Sequence, residues 1–113
     1  MNKKITQKAR IYIIAEAGSN FDGKLSQAKL LIDAAVEAKA DAVKFQLFRA
    51  DVLYPDKGQP IHSKVKDSEL PREWLGELMA YAESRNIDFL ASPFDSEAID
   101  LLDSMGVKAY KWG

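Results

Sequence analysis

Short apolar runs alternate with segments of helical periodicity along this chain, and this alternation limits the fold more than any other feature. The runs are rich in β-branched and aromatic residues and too short for helices, which predicts strands. They lie at residues 11–15, 42–46, 87–91 and 107–112. The first run is continuous rather than alternating, as expected of a strand that is buried on both faces.

Three segments between the predicted strands space their apolar residues along one helical face. They run over residues 25–38, over residues 71–85 with Pro71 in the first turn, and from a cap at Asp95 or Ser96 to Gly106. Asn86 can end the second helix in a left-handed conformation. Trp74 and Met79 lie on the apolar face of that helix, which predicts that both are in the core.

An alternating order with short connections predicts right-handed crossovers, a parallel sheet and therefore an α/β fold. Two architectures fit this order: a doubly wound open sheet, or part of a (β/α)₈ barrel. A whole barrel needs about 250 residues, whereas this sequence has 113. We therefore expect at most half a barrel, and periodicity alone does not decide between the two architectures.

Composition excludes several classes of protein. Hydrophobic residues make up 47% of the sequence and charged residues 29%, the balance of a soluble globular domain. The 16 Lys and Arg residues nearly cancel the 17 Asp and Glu residues, which predicts no binding to nucleic acid or to anionic lipid. Without cysteine, the chain can form neither a disulfide nor a thiolate metal site.

Residues 1–10 form a polar, basic segment that lacks the apolar core of a secretory signal. No apolar run approaches the ~20 residues that a membrane span requires. We therefore expect a cytoplasmic protein, with this polar segment followed by one domain over residues 11–113.

Residues 47–70 separate the second predicted strand from the second helix, and their proline and glycine residues predict a loop. In a compact domain, a loop of this length is usually functional or mobile. The only histidine, His62, lies within it. A single histidine without a second ligand does not make a metal site, so we predict a solvated loop histidine.

Polar side chains lie at the carboxyl ends of the predicted strands, where ligands bind in either architecture. They are Glu16 after the first strand, Lys44 and Gln46 in the second, Ser92 after the third and Lys111 in the fourth. Because the carboxyl ends of parallel strands meet at one edge, we expect these side chains to converge on one pocket. Lysine ammonium groups there suit an anionic substrate such as a phosphate or a carboxylate.

Each of these residues also has a structural interpretation. Lys44 and Lys111 lie in otherwise apolar strands, so their charges are paired or functional unless they reach water at an edge or rim. Glu16 could serve a substrate, or form a salt bridge with Lys44 that only holds this end of the sheet together; one pair could do both. Asn20 fits a turn, and a ligand contact from it would be additional.

Four segments resemble the N-acetylneuraminate (sialic acid) synthase family. Residues 13–20, Ile-Ile-Ala-Glu-Ala-Gly-Ser-Asn, resemble its Ala-Glu-Ile-Gly-x-Asn-His opening, and residues 40–46 are close to its Ala-Asp-Ala-Val-Lys-Phe-Gln. Residues 89–95, Phe-Leu-Ala-Ser-Pro-Phe-Asp, are similar to its Ser-Thr-Pro-Phe-Asp strand end, and residues 109–111, Ala-Tyr-Lys, to its Ala-Phe-Lys-Ile. The four segments are specific only together.

The resemblance implies a partial (β/α)₈ barrel and an enzyme that condenses phosphoenolpyruvate with N-acetylmannosamine or a related amino sugar. C3 of phosphoenolpyruvate attacks the open-chain aldehyde, water adds at C2, and phosphate leaves from a tetrahedral intermediate. By this resemblance, Lys44, Ser92 and Lys111 hold the phosphate and carboxylate of phosphoenolpyruvate. Glu16 is a catalytic or substrate-orienting carboxylate with Gln46 nearby. A divalent ion, Mn²⁺ or Mg²⁺, polarises the aldehyde as a Lewis acid.

This sequence departs from the family pattern at several positions. Phe21 stands where the family has His after Asn, Lys39 replaces a Gly after the first helix, and Ser92 replaces Thr while keeping the hydroxyl. The family's metal-binding histidines, its remaining phosphoenolpyruvate contacts and its antifreeze-like domain lie beyond Gly113. We therefore expect residues 11–113 to be the amino-terminal half of a synthase domain, without a metal site of its own and inactive alone.

Two other functions also fit the sequence. A half-barrel could be a non-catalytic binding or assembly module, because its outer strands invite pairing with a second copy of the chain. The chain could instead belong to another aldose synthase that uses phosphoenolpyruvate. The sequence does not identify the amino sugar.

Overall fold

The computed structural model describes residues 11–17, 21 and 23–109, which form a parallel sheet with helices along one face. In chain order the elements are β1 (Ile14–Glu16), α1 (Leu25–Glu37), β2 (Ala42–Leu47), α2 (Ala50–Leu53), α3 (Pro60–Asp67), a 3₁₀ turn (Arg72–Trp74), α4 (Leu75–Ser84), β3 (Asp88–Pro93), α5 (Ser96–Ser104) and β4 (Lys108–Ala109). The predicted alternation of strands and helices is confirmed. Within the described residues, no helix is long and apolar enough to cross a membrane.

Strand order decides between the two architectures that the sequence left open. The four strands pair in the order β1-β2-β3-β4, all parallel, so each strand lies beside the next one in the chain. A doubly wound sheet would reverse its strand order at a switch point, and the described strands contain no such reversal. The architecture is therefore part of a (β/α)₈ barrel.

The core lies between the sheet and its helices. Val43, Phe45 and Leu47 of β2 are fully buried against the helices, and the Phe45 ring stacks on Phe89 of β3 with centroids 5.6 Å apart. Successive side chains of a strand point to opposite faces. The intervening residues of β2, Lys44 among them, therefore point to the other face, which is the interior of a barrel.

The beginning of the chain differs from the prediction. Residues 11–13 are exposed, and β1 starts only at Ile14, so the expectation of a strand buried on both faces over residues 11–15 is wrong. These residues precede β1 and are held both by backbone bonds, from the Asp41 and Ala42 N–H groups to the Ile13 carbonyl, and by side chains. The Tyr12 hydroxyl donates to Asp88 Oδ2 at 2.6 Å, and the Ile13 N–H donates to Asp41 Oδ2 at 2.8 Å.

The predicted loop at residues 47–70 contains two helices, α2 and α3, which pack against each other. The prediction of a solvated His62 is wrong, because the residue is buried and its Nε2 lies 2.7 Å from Asp51 Oδ1. Glu69, which follows α3, accepts a hydrogen bond from the Ala50 N–H at 2.6 Å and so links the two ends of this segment. Pro60 occupies the first turn of α3, where a missing N–H costs nothing, rather than breaking structure.

The helix predicted over residues 71–85 corresponds to the 3₁₀ turn and α4 of the structure. Its apolar side chains follow the prediction with one exception. Trp74 packs against the core and meets the ring of Phe21 edge-on, with centroids 6.0 Å apart. Phe21, which replaces the family's His, is itself fully buried. Met79, predicted in the core, is only partly buried and lines an open groove.

Helix ends match the sequence expectations closely. Asn86 and Gly106 adopt left-handed conformations with φ of 58° and 74°, and Asp95 caps α5 by accepting the Ala98 N–H at 2.8 Å. Lys39, which replaces a Gly, is also left-handed at φ 62°. A side chain with a Cβ is strained in this conformation, whereas glycine is not.

We expect Lys39→Gly to stabilise the intact protein. Relief of the left-handed strain is worth about 1–2 kcal/mol, and the extra freedom of glycine in the unfolded chain offsets about 0.5–1 kcal/mol of it. The free energy of unfolding from urea titration should therefore rise modestly. Lys39→Ala is the matched control, since it removes the same side chain but keeps the strain. An equal or lower stability of the glycine variant relative to the alanine variant would contradict the account.

Candidate anion-binding site

A lysine-glutamate pair occupies the interior face of the sheet. The parallel register places Glu16 of β1 directly opposite Lys44 of β2, and Lys44 Nζ lies 2.7 Å from Glu16 Oε2. The Lys44 side chain is 10% exposed, against 49% for Glu16. Lys44 is therefore not an edge or rim lysine with its charge in water, and the salt bridge considered from the sequence is present.

Ser92 lies on the same face, one layer further along the strands. The register of β2 with β3 sets it opposite Gln46, which is partly buried. Ser92 itself is only 4% exposed, and no described residue hydrogen-bonds to its buried Oγ. An unsatisfied buried hydroxyl costs about 1–3 kcal/mol, so it calls for an explanation such as a bound ligand.

Four of the six predicted site residues can thus be located in the structure. Glu16, Lys44, Gln46 and Ser92 share one face at the carboxyl ends of β1, β2 and β3. Asn20 and Lys111 lie outside the described residues, and their roles stay predictions. Besides the Glu16 carboxylate, which pairs with Lys44, the located residues offer an ammonium group, a buried hydroxyl and an amide, and these are donors that an anion with several oxygen atoms can use.

The structure also reveals an ion-pair network beside this face that sequence reasoning missed. The guanidinium of Arg72 donates to both carboxylate oxygens of Asp95, at 3.2 and 2.7 Å, and to Glu97 at 3.1 Å. Arg49 also donates to Glu97, at 2.7 Å. Asp95 was expected only as a helix cap. Its arginine partner lies 23 residues earlier, and such a pairing leaves no periodic pattern in a sequence.

Two grooves flank the sheet. One, of about 350 Å³, lies just beyond the end of β2 and is lined by Phe48, Arg49, Lys66, Glu69, Leu70, Pro71, Arg72 and Glu73. The other, of about 620 Å³, includes Asp88, Phe89 and Val107 and opens at the amino ends of β3 and β4. Ligands of parallel sheets bind at the carboxyl ends of the strands, so the larger groove is on the wrong side for the site.

Within the described part of the chain, no group of three or more His, Asp or Glu side chains could hold a metal ion. The Glu16 carboxylate faces Lys44, and the buried His62 faces Asp51. These residues therefore do not by themselves fit a Mn²⁺ or Mg²⁺ site.

Hydrogen bonding lowers the pKa of two carboxyl groups, those of Asp95 and Asp51. The pKa of Asp95 is lowered, chiefly by the hydrogen bond from Arg72; burial opposes this, and the Ala98 N–H adds to it. The pKa of Asp51 is lowered by its hydrogen bond to His62, again against a smaller effect of burial. Both groups are thereby held as carboxylates.

The Asp95 shift predicts how stability depends on pH. A carboxyl whose pKa is lower in the folded state stabilises the fold above its unfolded value of about 3.9, and this contribution disappears as pH falls through the folded value. Asp95→Asn keeps the cap but abolishes the titration. Urea titrations from about pH 6 to pH 2 should show a smaller acid loss of stability in the variant than in the wild type. Parallel curves would argue against the Arg72–Asp95 interaction.

Comparisons with known proteins identify the family of this chain. A family model described as the NeuB family matches residues 31–113. The spore coat polysaccharide biosynthesis protein SpsE of Bacillus subtilis is 44% identical over 97% of this chain, and N,N'-diacetyllegionaminic acid synthase of Legionella pneumophila is 42% identical over 88% of it. Each of these matches covers 32% of the relative.

A solved structure shares the fold as well as the sequence. The crystal structure of N-acetylneuraminic acid (sialic acid) synthetase from Leptospira borgpetersenii, in complex with citrate, superposes with a TM-score of 0.79 at 35% identity. The match covers 86% of this chain and 34% of that one, so the chain spans about a third of the length of the proteins it resembles. By sequence and by structure, the chain belongs to the NeuB family.

Proposed function

We propose that this chain carries the phosphoenolpyruvate-binding face of a synthase that condenses phosphoenolpyruvate with N-acetylmannosamine or a related amino sugar. The observation that carries the proposal is the buried Lys44 on the same face of the sheet as the buried Ser92, whose hydroxyl has no hydrogen-bond partner among the described residues. Relatives named as synthases of diacetyllegionaminic, pseudaminic and N-acetylneuraminic acid derivatives support this class of product.

Phosphoenolpyruvate carries a phosphate and a carboxylate, and Lys44 and Ser92 offer complementary donors. The Lys44 ammonium supplies charge in a poorly solvated place, where an ion pair is stronger than in water. The Ser92 hydroxyl donates to a phosphate or carboxylate oxygen, and this removes the free-energy penalty of a buried hydroxyl without a partner. The Leptospira relative was crystallised in complex with citrate, a polycarboxylate, so that protein binds an anion of a similar chemical class.

Glu16 is suited to a second task. Its carboxylate is half-exposed, so it can orient the amino sugar or relay a proton while remaining next to Lys44. Gln46 lies opposite Ser92, one layer further along the strands than Lys44, and offers an amide donor and acceptor. Lys111 and Asn20 stay predicted as further anion and substrate contacts of the intact protein.

The bond changes follow from the substrates. C3 of phosphoenolpyruvate forms the new bond to the aldehyde carbon, water adds at C2, and the C2–O bond to phosphate then breaks. Lys44 and Ser92 hold the anionic groups so that C3 faces the aldehyde, which is a contribution from positioning.

The intact protein would also use a divalent ion, Mn²⁺ or Mg²⁺, as a Lewis acid on the aldehyde, with ligands from outside the described residues. We expect no turnover by residues 1–113 alone.

The test is phosphate release from phosphoenolpyruvate by the intact protein with a panel of N-acetylated amino sugars. Lys44→Met should lower kcat/KM for phosphoenolpyruvate by about 100-fold, because a buried charge contact is worth roughly 2–5 kcal/mol. Ser92→Ala should lower it by about tenfold or more, as a hydrogen bond to a charged group is worth about 1.5–3 kcal/mol. Ser92→Thr keeps the hydroxyl and should retain most activity.

Ser84→Ala is the matched control, because Ser84 is exposed at the end of α4 and its hydroxyl donates to the Tyr81 carbonyl of the same helix. This variant should behave as the wild type. If Lys44→Met and Ser92→Ala both kept the wild-type kcat/KM for phosphoenolpyruvate, the proposed binding face would be wrong.

A further inference from the structure

Arg72 reaches from the 3₁₀ turn before α4 to the segment that follows Ser92. Its Nη1 and Nη2 donate to Asp95 Oδ1 and Oδ2 at 3.2 and 2.7 Å, a two-point contact. Both side chains are only 11% exposed. A largely buried, two-point arginine–carboxylate pair fixes orientation as well as distance, because the planar fork matches the carboxylate.

The segment from Ser92 to Asp95 is held at two successive residues. The Phe94 N–H donates to the Leu47 carbonyl at 3.0 Å, which ties the segment to the end of β2. Asp95 is held by Arg72 on one side and by the Ala98 N–H, at 2.8 Å, on the other. Since no described residue bonds to Ser92 Oγ, the place of that hydroxyl depends on this backbone rather than on a contact of its own.

We propose that Arg72 is a positioning residue for phosphoenolpyruvate binding, which acts through Asp95 to set the position of the Ser92 hydroxyl. The inference rests on the role proposed for Ser92. This role does not require Arg72 to touch the substrate, because it acts through its two-point contact with Asp95.

Glu97 extends this arrangement to the neighbouring strand. It accepts from Arg72 at 3.1 Å and from Arg49, which follows β2, at 2.7 Å. The network therefore joins the end of the strand that carries Lys44 to the end of the strand that carries Ser92. Glu97 is 70% exposed, so its contacts are screened by water and should matter less than the Arg72–Asp95 pair.

The experiment is a double-mutant cycle in the intact protein, with KM and kcat for phosphoenolpyruvate as readouts. Arg72→Met should raise KM by about tenfold, because small displacements of a binding group cost binding strongly. Arg72→Lys keeps the charge but not the fork and should recover only part of this loss. In a Ser92→Ala background, Arg72→Met should raise KM less than about twofold further, since residues that act through one another are not additive.

Asp95→Asn gives a second route to the same answer if the Arg72 variants fold poorly. Asparagine preserves the helix cap and removes the charged acceptor, so this variant should also lose its effect on KM when Ser92 is Ala. Arg85→Met is the control: Arg85 pairs with Asp33, at 3.4 Å, between α1 and α4. It should leave KM unchanged in both backgrounds.

The outcomes separate the inference from the proposed function. A strong Ser92→Ala effect with a non-additive Arg72→Met effect supports both. If the effects of Arg72→Met and Ser92→Ala on KM multiplied fully, Arg72 would not act through Ser92. The inference would then be overturned, while the role of Ser92 stood. If Ser92→Ala left KM unchanged, the proposed role of Ser92 and this inference would both fall.

Discussion

The ion pair between Lys44 and Glu16 is the interaction on which the interior of this sheet depends. A lysine ammonium in an otherwise apolar, buried strand is costly unless an opposite charge lies beside it. Parallel pairing of β1 with β2 supplies that charge, because it puts Glu16 directly opposite Lys44. A shift of one residue in the register would turn Glu16 towards the helices and leave it away from Lys44. The charge pair and the strand register therefore specify each other.

Because side chains alternate across each strand, one face of the sheet packs in the core and the other face carries the candidate site. Val43 and Phe45 face the helices and form the core, whereas Lys44 and Ser92 face the barrel interior. Polar groups on the second face do not contribute to hydrophobic packing, so they are available for chemistry. The same separation lets the loop segments at the carboxyl ends of the strands carry a charged network, centred on Arg72, without disturbing the core.

Local chemistry could be predicted from the sequence, whereas pairing between distant residues could not. Asn86 and Asp95 were predictable as a helix stop and a cap because each acts on its own backbone neighbours. Lys44 was predictable because a charge inside an apolar run is itself a pattern. His62 and Arg72 depend on partners 11 and 23 residues away, and those partners become neighbours only after α2, α3 and α4 have packed. The order of the strands, which decides between a barrel and an open sheet, is equally a tertiary property.

A crystal structure of the intact protein with phosphoenolpyruvate tests the central claim most directly, namely that Lys44 and Ser92 form an anion-binding face. The account predicts a phosphate or carboxylate oxygen within hydrogen-bond distance, about 2.5–3.2 Å, of both Lys44 Nζ and Ser92 Oγ. Phosphoenolpyruvate bound instead in the groove beside Arg49 and Lys66, with Ser92 Oγ still unpaired, would contradict it.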